Sequence, residues 1–127
     1  MGVEDAVDGV LRVLGRLDLK QALTDFPVPE SVWSPGQVPG RPLDCGFNIL
    51  LFEGVGRSEY AERLTDALSR LAVGLGRLPA GVAEVDLGLY SPNGGGSLHL
   101  SAQLMSSLSV FGLGVSVTVY ACDVGDE

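Results

Sequence analysis

Residues 82–122 read VAEVDLGLYSPNGGGSLHLSAQLMSSLSVFGLGVSVTVYAC, and their pattern decides the class of fold. Two segments, Val82 to Tyr90 and Leu113 to Ala121, alternate apolar with small or polar residues. Val85, Leu87 and Leu89 fall on one side of the first, with Glu84, Asp86 and Gly88 on the other. Val115, Val117 and Val119 fall on one side of the second, opposite Ser116, Thr118 and Tyr120. A period of two carried by β-branched residues is what a sheet with one buried face requires. Between the two segments, Ser101 is placed to cap a short helix that carries Leu104 and Leu108 inward and ends at Gly112 or Gly114. Leu98 to Leu100 reads as a short strand, joined to the strand before it by a hairpin through Ser91 to Ser97. Asn93-Gly94-Gly95-Gly96 is ordinary turn chemistry for that hairpin rather than a nucleotide loop, since no lysine and no long helix follow it.

Upstream, Ser58 to Leu78 reads as a helix. Leu64, Leu68, Leu71, Leu75 and Leu78 form one stripe, Ser58 is the expected N-cap, and Pro79 and Gly81 close the segment. Cys45 to Glu53 is a continuous apolar run interrupted by Asn48, which suits a strand covered on both faces. Pro27 to Pro42 holds five prolines around Trp33. Proline restricts itself and the residue before it, so an ordered extended loop is expected there. Val10 to Leu17 fits either a helix or a strand with Arg12 and Arg16 outward. Gly9 and Gly15 weaken the helix by about 1 kcal/mol each, which favours the strand. Asp18 is then the N-cap of a short helix, Leu19 to Phe26, stopped by Pro27 and Pro29.

The order is strand, helix, strand, helix, strand, strand, helix, strand. It predicts one α+β domain over residues 1–127, a two-layer sandwich of about five strands with helices on one face. The sheet is expected to be mixed and mostly antiparallel, with residues 1–9 and 123–127 as loose ends. A chain of 127 residues, 46% of them apolar, can bury a core without disulfides. Its net charge is −8, and Lys20 is the one lysine. Few cations are therefore available to meet phosphates, and no nucleic-acid partner is expected. No secretory signal or membrane-spanning run is visible, so a cytoplasmic location with no membrane partner is the default.

No constellation of residues points to bond-making chemistry. Gly54-Val55-Gly56-Arg57-Ser58 joins a strand to a helix, where free amides favour an anion. It lacks the lysine of phosphate loops, and Glu53 and Glu59 flank it with negative charge, so a tight turn is the better reading. His99 is the only histidine, and neither Cys45 nor Cys122 has a metal-binding spacing, so no metal and no cofactor are expected. Trp33 is either an anchor for a partner or a plug for the edge of the core; the usual burial of large aromatics favours the plug. The acidic residues Glu4, Asp5, Asp8, Asp123, Asp126 and Glu127 read as a solvated surface.

Three stretches resemble the domain of unknown function 4279 family of small bacterial proteins. They are Pro29 to Gln37 with Trp33-Ser34-Pro35-Gly36, the amphipathic helix Tyr60 to Leu78 after an apolar strand, and Leu98-His99-Leu100-Ser101 followed by Gly112 to Tyr120. The likeness runs in order over residues 10–121. It departs at Ser34, Pro35 and Gln37, where that group more usually has basic residues and then an acidic one. The resemblance implies a strand at Val10 to Leu17 and supplies no catalytic residues to transfer.

Together these features favour a non-enzymatic protein-binding module, with an immunity-like role that masks a toxin or another basic partner. The first alternative is a small-ligand sensor with a pocket between sheet and helices near Trp33 and Arg57. The second is an enzyme using His99 with a cysteine or serine. The residues expected to touch a partner or ligand are Trp33, Arg41, Arg57 and His99, and the chain is expected to be a monomer or a homodimer.

Overall fold

The computed structural model describes residues 5–92 and 97–122. It is an α+β structure with a five-stranded sheet in the order β2-β3-β1-β4-β5. The strands are β1 (Ala6–Gly15), β2 (Ser31–Trp33), β3 (Cys45–Gly56), β4 (Ala83–Pro92) and β5 (Gly114–Cys122). The helices are α1 (Leu19–Thr24), α2 (Tyr60–Arg70), α3 (Ala72–Arg77) and α4 (Ala102–Val110). β1 sits at the centre, antiparallel to β3 on one side and to β4 on the other. β2 pairs antiparallel with β3, and β5 runs parallel to β4, the two being joined through α4.

Period-two alternation sorts each strand into a buried row and an open row. Val7, Leu11 and Val13 of β1, Phe47 and Ile49 of β3, and Val85, Leu87 and Leu89 of β4 form the floor of the core. The apolar stripe of the helices closes it, through Tyr60, Leu64 and Leu68 of α2, Leu75 of α3, and Leu104 and Leu108 of α4. At the start of β1 the register with β3 slips on both sides of Gly9. A Cβ there would lie 2.5 Å from the Phe52 ring, so the absence of a side chain lets Phe52 pack across the bulge. Asp18 caps α1 by accepting from the Gln21 amide at 3.1 Å, and Ser101 Oγ accepts from the Leu104 amide at the same distance. Gly112, at φ +69°, gives α4 the left-handed exit that leads directly into β5.

Several expectations require correction. β1 begins at Ala6, so residues 6–9 are strand rather than a loose end; residues 1–4 and 123–127 lie outside the described residues. Ser31–Trp33, read as loop, is a strand because β3 offers it a ladder. β3 is covered on one face only, with Leu50 exposed on the other. It also continues to Gly56, which moves the N-cap of α2 from Ser58 to Glu59, a residue making no side-chain cap bond. The leucine-striped helix divides at Leu71 into α2 and α3. Leu98–Leu100 is not a strand, and the turn residues 93–96 lie outside the described residues.

Candidate functional site

The helices leave one face of the sheet uncovered, and the outward rows of the strands define its chemistry. β1 contributes Asp8, Val10, Arg12 and Leu14, while β3 contributes Asn48 and Leu50. β4 places Glu84, Asp86, Gly88 and Tyr90 beside them, and β5 adds Ser116, Thr118 and Tyr120. Arg12 stands at the middle. Its guanidinium lies 2.6 Å from Asp86 and 3.7 Å from Glu84, both on the neighbouring strand. Asp86 also accepts a hydrogen bond from Ser116 Oγ at 2.5 Å, so a polar chain crosses three strands.

Aromatic side chains stand at opposite ends of this polar centre. Tyr90 and Tyr120 stack with ring centroids 4.8 Å apart. Their strands meet the Ala6 end of β1. Trp33 pairs with Gly46 near the Gly15 end. It is half-buried and lies outside the core cluster, so it is not the core plug expected from its size. With Arg12, Leu14, Gln37, Val38, Pro39 and Asn48 it lines a cavity of about 260 Å³ on the open face. Asn48 Oδ1 is buried and makes no hydrogen bond. A depression of about 380 Å³ continues across Arg12, Asp86, Ser116 and the tyrosine pair.

The four residues singled out from the sequence do not form one site. Trp33 and Arg41 share the Arg12 and Leu14 end of the open face, where Arg41 lies 3.7 Å from Asp44. Arg57 belongs to the opposite end, in an ion pair with Asp5. The expected pocket between sheet and helices near Trp33 and Arg57 is therefore replaced by the cavity on the open face. His99 is exposed on the segment before α4, and its backbone carbonyl accepts a hydrogen bond from the Tyr60 hydroxyl. Burial pushes the Tyr60 phenol above its ordinary range, because the phenolate would lose its hydration.

Two acidic residues expected to be solvated have partners instead. Asp5 pairs with Arg57, and Asp8 accepts from the Gly54 amide at 2.8 Å. That amide belongs to the Gly54–Ser58 turn, so a carboxylate already occupies a donor that a phosphate would need. Cys45 is buried and its thiol donates to the Leu17 carbonyl at 3.4 Å. Among the described residues, no three His, Cys, Asp or Glu side chains come together as metal ligands. No described helix is long and apolar enough to cross a membrane.

Sequence reasoning missed Asn48, Arg12, Asp86, Ser116 and the tyrosine pair as members of one surface. Alternation put Arg12, Glu84 and Asp86 on outward rows, but it carries no information about which strands are neighbours. No family model matches the sequence, and no curated protein or solved structure matches it either.

Proposed function

We propose that the chain is a non-enzymatic protein-binding module whose uncovered sheet face receives a basic partner, as an immunity-like protein masking a toxin would. The observation that carries this reading is the composition of that face: aromatic rings at both ends of a charged centre in which Asp8, Glu84 and Asp86 outnumber Arg12. Half-exposed aromatics are efficient contact residues, because they bring large area at little cost in side-chain entropy. The acidic excess matches the −8 net charge and would speed association with a cationic surface.

Capture from the native host at low and raised salt tests the reading, comparing the wild-type chain with W33A and D86N. A partner held by the wild type should be weakened by salt and by both substitutions. Retention of the same partner by both variants, at both salt concentrations, would remove the open face from the interaction.

A second reading, a small-ligand sensor, is favoured by the unpaired Asn48 Oδ1 in the cavity beside Trp33. An acceptor buried without a donor costs about 1–3 kcal/mol, which a ligand N–H would recover. The cavity, at about 260 Å³, is below the 300–1,000 Å³ usual for drug-sized ligands. Size therefore ranks this reading second. For catalysis, the imidazole of His99 makes no hydrogen bond with a thiol or hydroxyl among the described residues, and the buried Cys45 thiol is bonded to the Leu17 carbonyl instead.

A further inference from the structure

We propose that β5 is a pairing edge for a second copy of this chain, giving a two-fold dimer whose sheets join β5 to β5 in antiparallel register. The inference concerns the edge of the sheet and is independent of the reading of its open face. The two edge strands differ in a way that bears on this. β2 is three residues long and flanked by Pro29 and Pro35, which lack the amide donors that a pairing strand needs. β5 is nine residues long, GVSVTVYAC, with no charge and no proline. It bonds to β4 on one side, and no described strand lies on the other. Free edges of that length are usually blunted by charge, proline or a bulge, and β5 has no charge or proline.

The sequence of β5 is also compatible with itself. Two antiparallel copies overlap along the whole strand when the axis passes through Thr118. Val117 then faces Val119 of the mate, Ser116 faces Tyr120, and Thr118 faces Thr118. Directly opposed residues share a face in an antiparallel pair, so apolar meets apolar and polar meets polar. Val117 and Val119 are 39% and 41% exposed, although their row continues that of the buried Val85, Leu87 and Leu89. A mate's valines would extend that row beyond the edge.

Charge argues for a second copy over a basic protein at this position. An uncharged strand offers a cationic partner no Coulomb advantage, whereas it lets two chains of net charge −8 meet without placing like charges opposite one another. The remaining repulsion between the copies is long-range, so salt should strengthen the dimer. Salt should weaken the capture of a basic partner, and the two proposals can therefore fail separately.

Sedimentation of the full chain over a dilution series, at low and raised salt, is the test. The expected result is a reversible species of twice the 13.2 kDa chain mass, favoured by salt. V117K and V119E should each sediment as monomers with unchanged circular dichroism, while a mixture of the two should recover the dimer, because position 117 faces position 119 of the mate. A wild type that stays monomeric throughout overturns the proposal. So does an open-ended polymer, and so does a dimer that persists in both folded variants. If either variant fails to fold, the other and the wild-type dilution series still decide.

Discussion

The two faces of the sheet are made by the same strands, and neighbouring residues on them have opposite fates. Leu11 is fully buried, while the side chain of Arg12 is 46% exposed. Phe47 is buried in an aromatic pair with Phe26, whereas the next residue, Asn48, has a side-chain oxygen without a partner. The covered face is apolar and packed on β1, β3 and β4, where α2, α3 and α4 close the core. The open face holds ion pairs, a tyrosine stack and half-buried Trp33. Stability therefore rests on the covered face, the recognition proposed above would fall to the open one, and that division can be broken by experiment.

The largest effect is expected on the covered side. Phe47→Ala removes a ring that is fully enclosed and in contact with Phe26 at a centroid distance of 5.3 Å. Transfer and cavity terms together should cost about 3–5 kcal/mol, read as a fall in the urea midpoint without change in slope. A loss below about 1 kcal/mol would mean that this side is loosely packed, and the contrast between the faces would collapse.

Tyr60 gives a smaller effect on the same side. Its hydroxyl donates to the His99 carbonyl, and Tyr60→Phe should cost about 0.5–1.5 kcal/mol at neutral pH. The same substitution should change the response to alkali. Burial raises the phenol above its ordinary value of 10.0, so the unfolded chain releases that proton first as pH rises. The stabilisation is complete below the unfolded value and is lost as pH climbs through the folded one. Urea midpoints measured on both proteins as pH rises from the ordinary value of 10.0 should fall less steeply for Tyr60→Phe. Equal slopes would show that the phenol stays accessible to solvent.

Much of the covered face was legible in the sequence because its rule is local. Val85, Leu87 and Leu89 alternate, Leu64 and Leu68 recur at helical spacing, and Asp18 and Ser101 cap the helices expected of them. The errors arose where a distant partner decides the local state. Ser31–Trp33 reads as proline-rich loop until β3 supplies its ladder. The leucine stripe runs past Leu71 without a break, yet the chain turns there. Gly74 then approaches the Asp25 carbonyl so closely that a Cβ would sit 2.8 Å from it. The open face depends almost wholly on such distant pairings. Arg12 and Asp86 become neighbours only because β1 and β4 are adjacent, a fact of topology that no periodicity contains.

That dependence makes Arg12 the sharpest small test. It is the central cation of the open face, bonded to Asp86 at 2.6 Å and near Glu84, yet its side chain remains about half in water. Exposed ion pairs are worth about 0–1 kcal/mol, since water screens the attraction and ordering the side chains costs entropy. Asp86 would still accept from Ser116 Oγ after Arg12→Ala, so its carboxylate would not be left bare. The expected loss is thus under about 1 kcal/mol at low salt and smaller at high salt, with the capture of a basic partner altered. Because the variant removes a cation from an acidic surface, a partner attracted by charge alone should bind at least as well as before. A partner that also reads the fixed position of Asp86 should bind less tightly, since Arg12 holds that carboxylate in place. A stability loss of several kcal/mol, comparable with Phe47→Ala, would instead make the polar chain across β1, β4 and β5 part of the structural core, and the assignment of recognition to this face would fail.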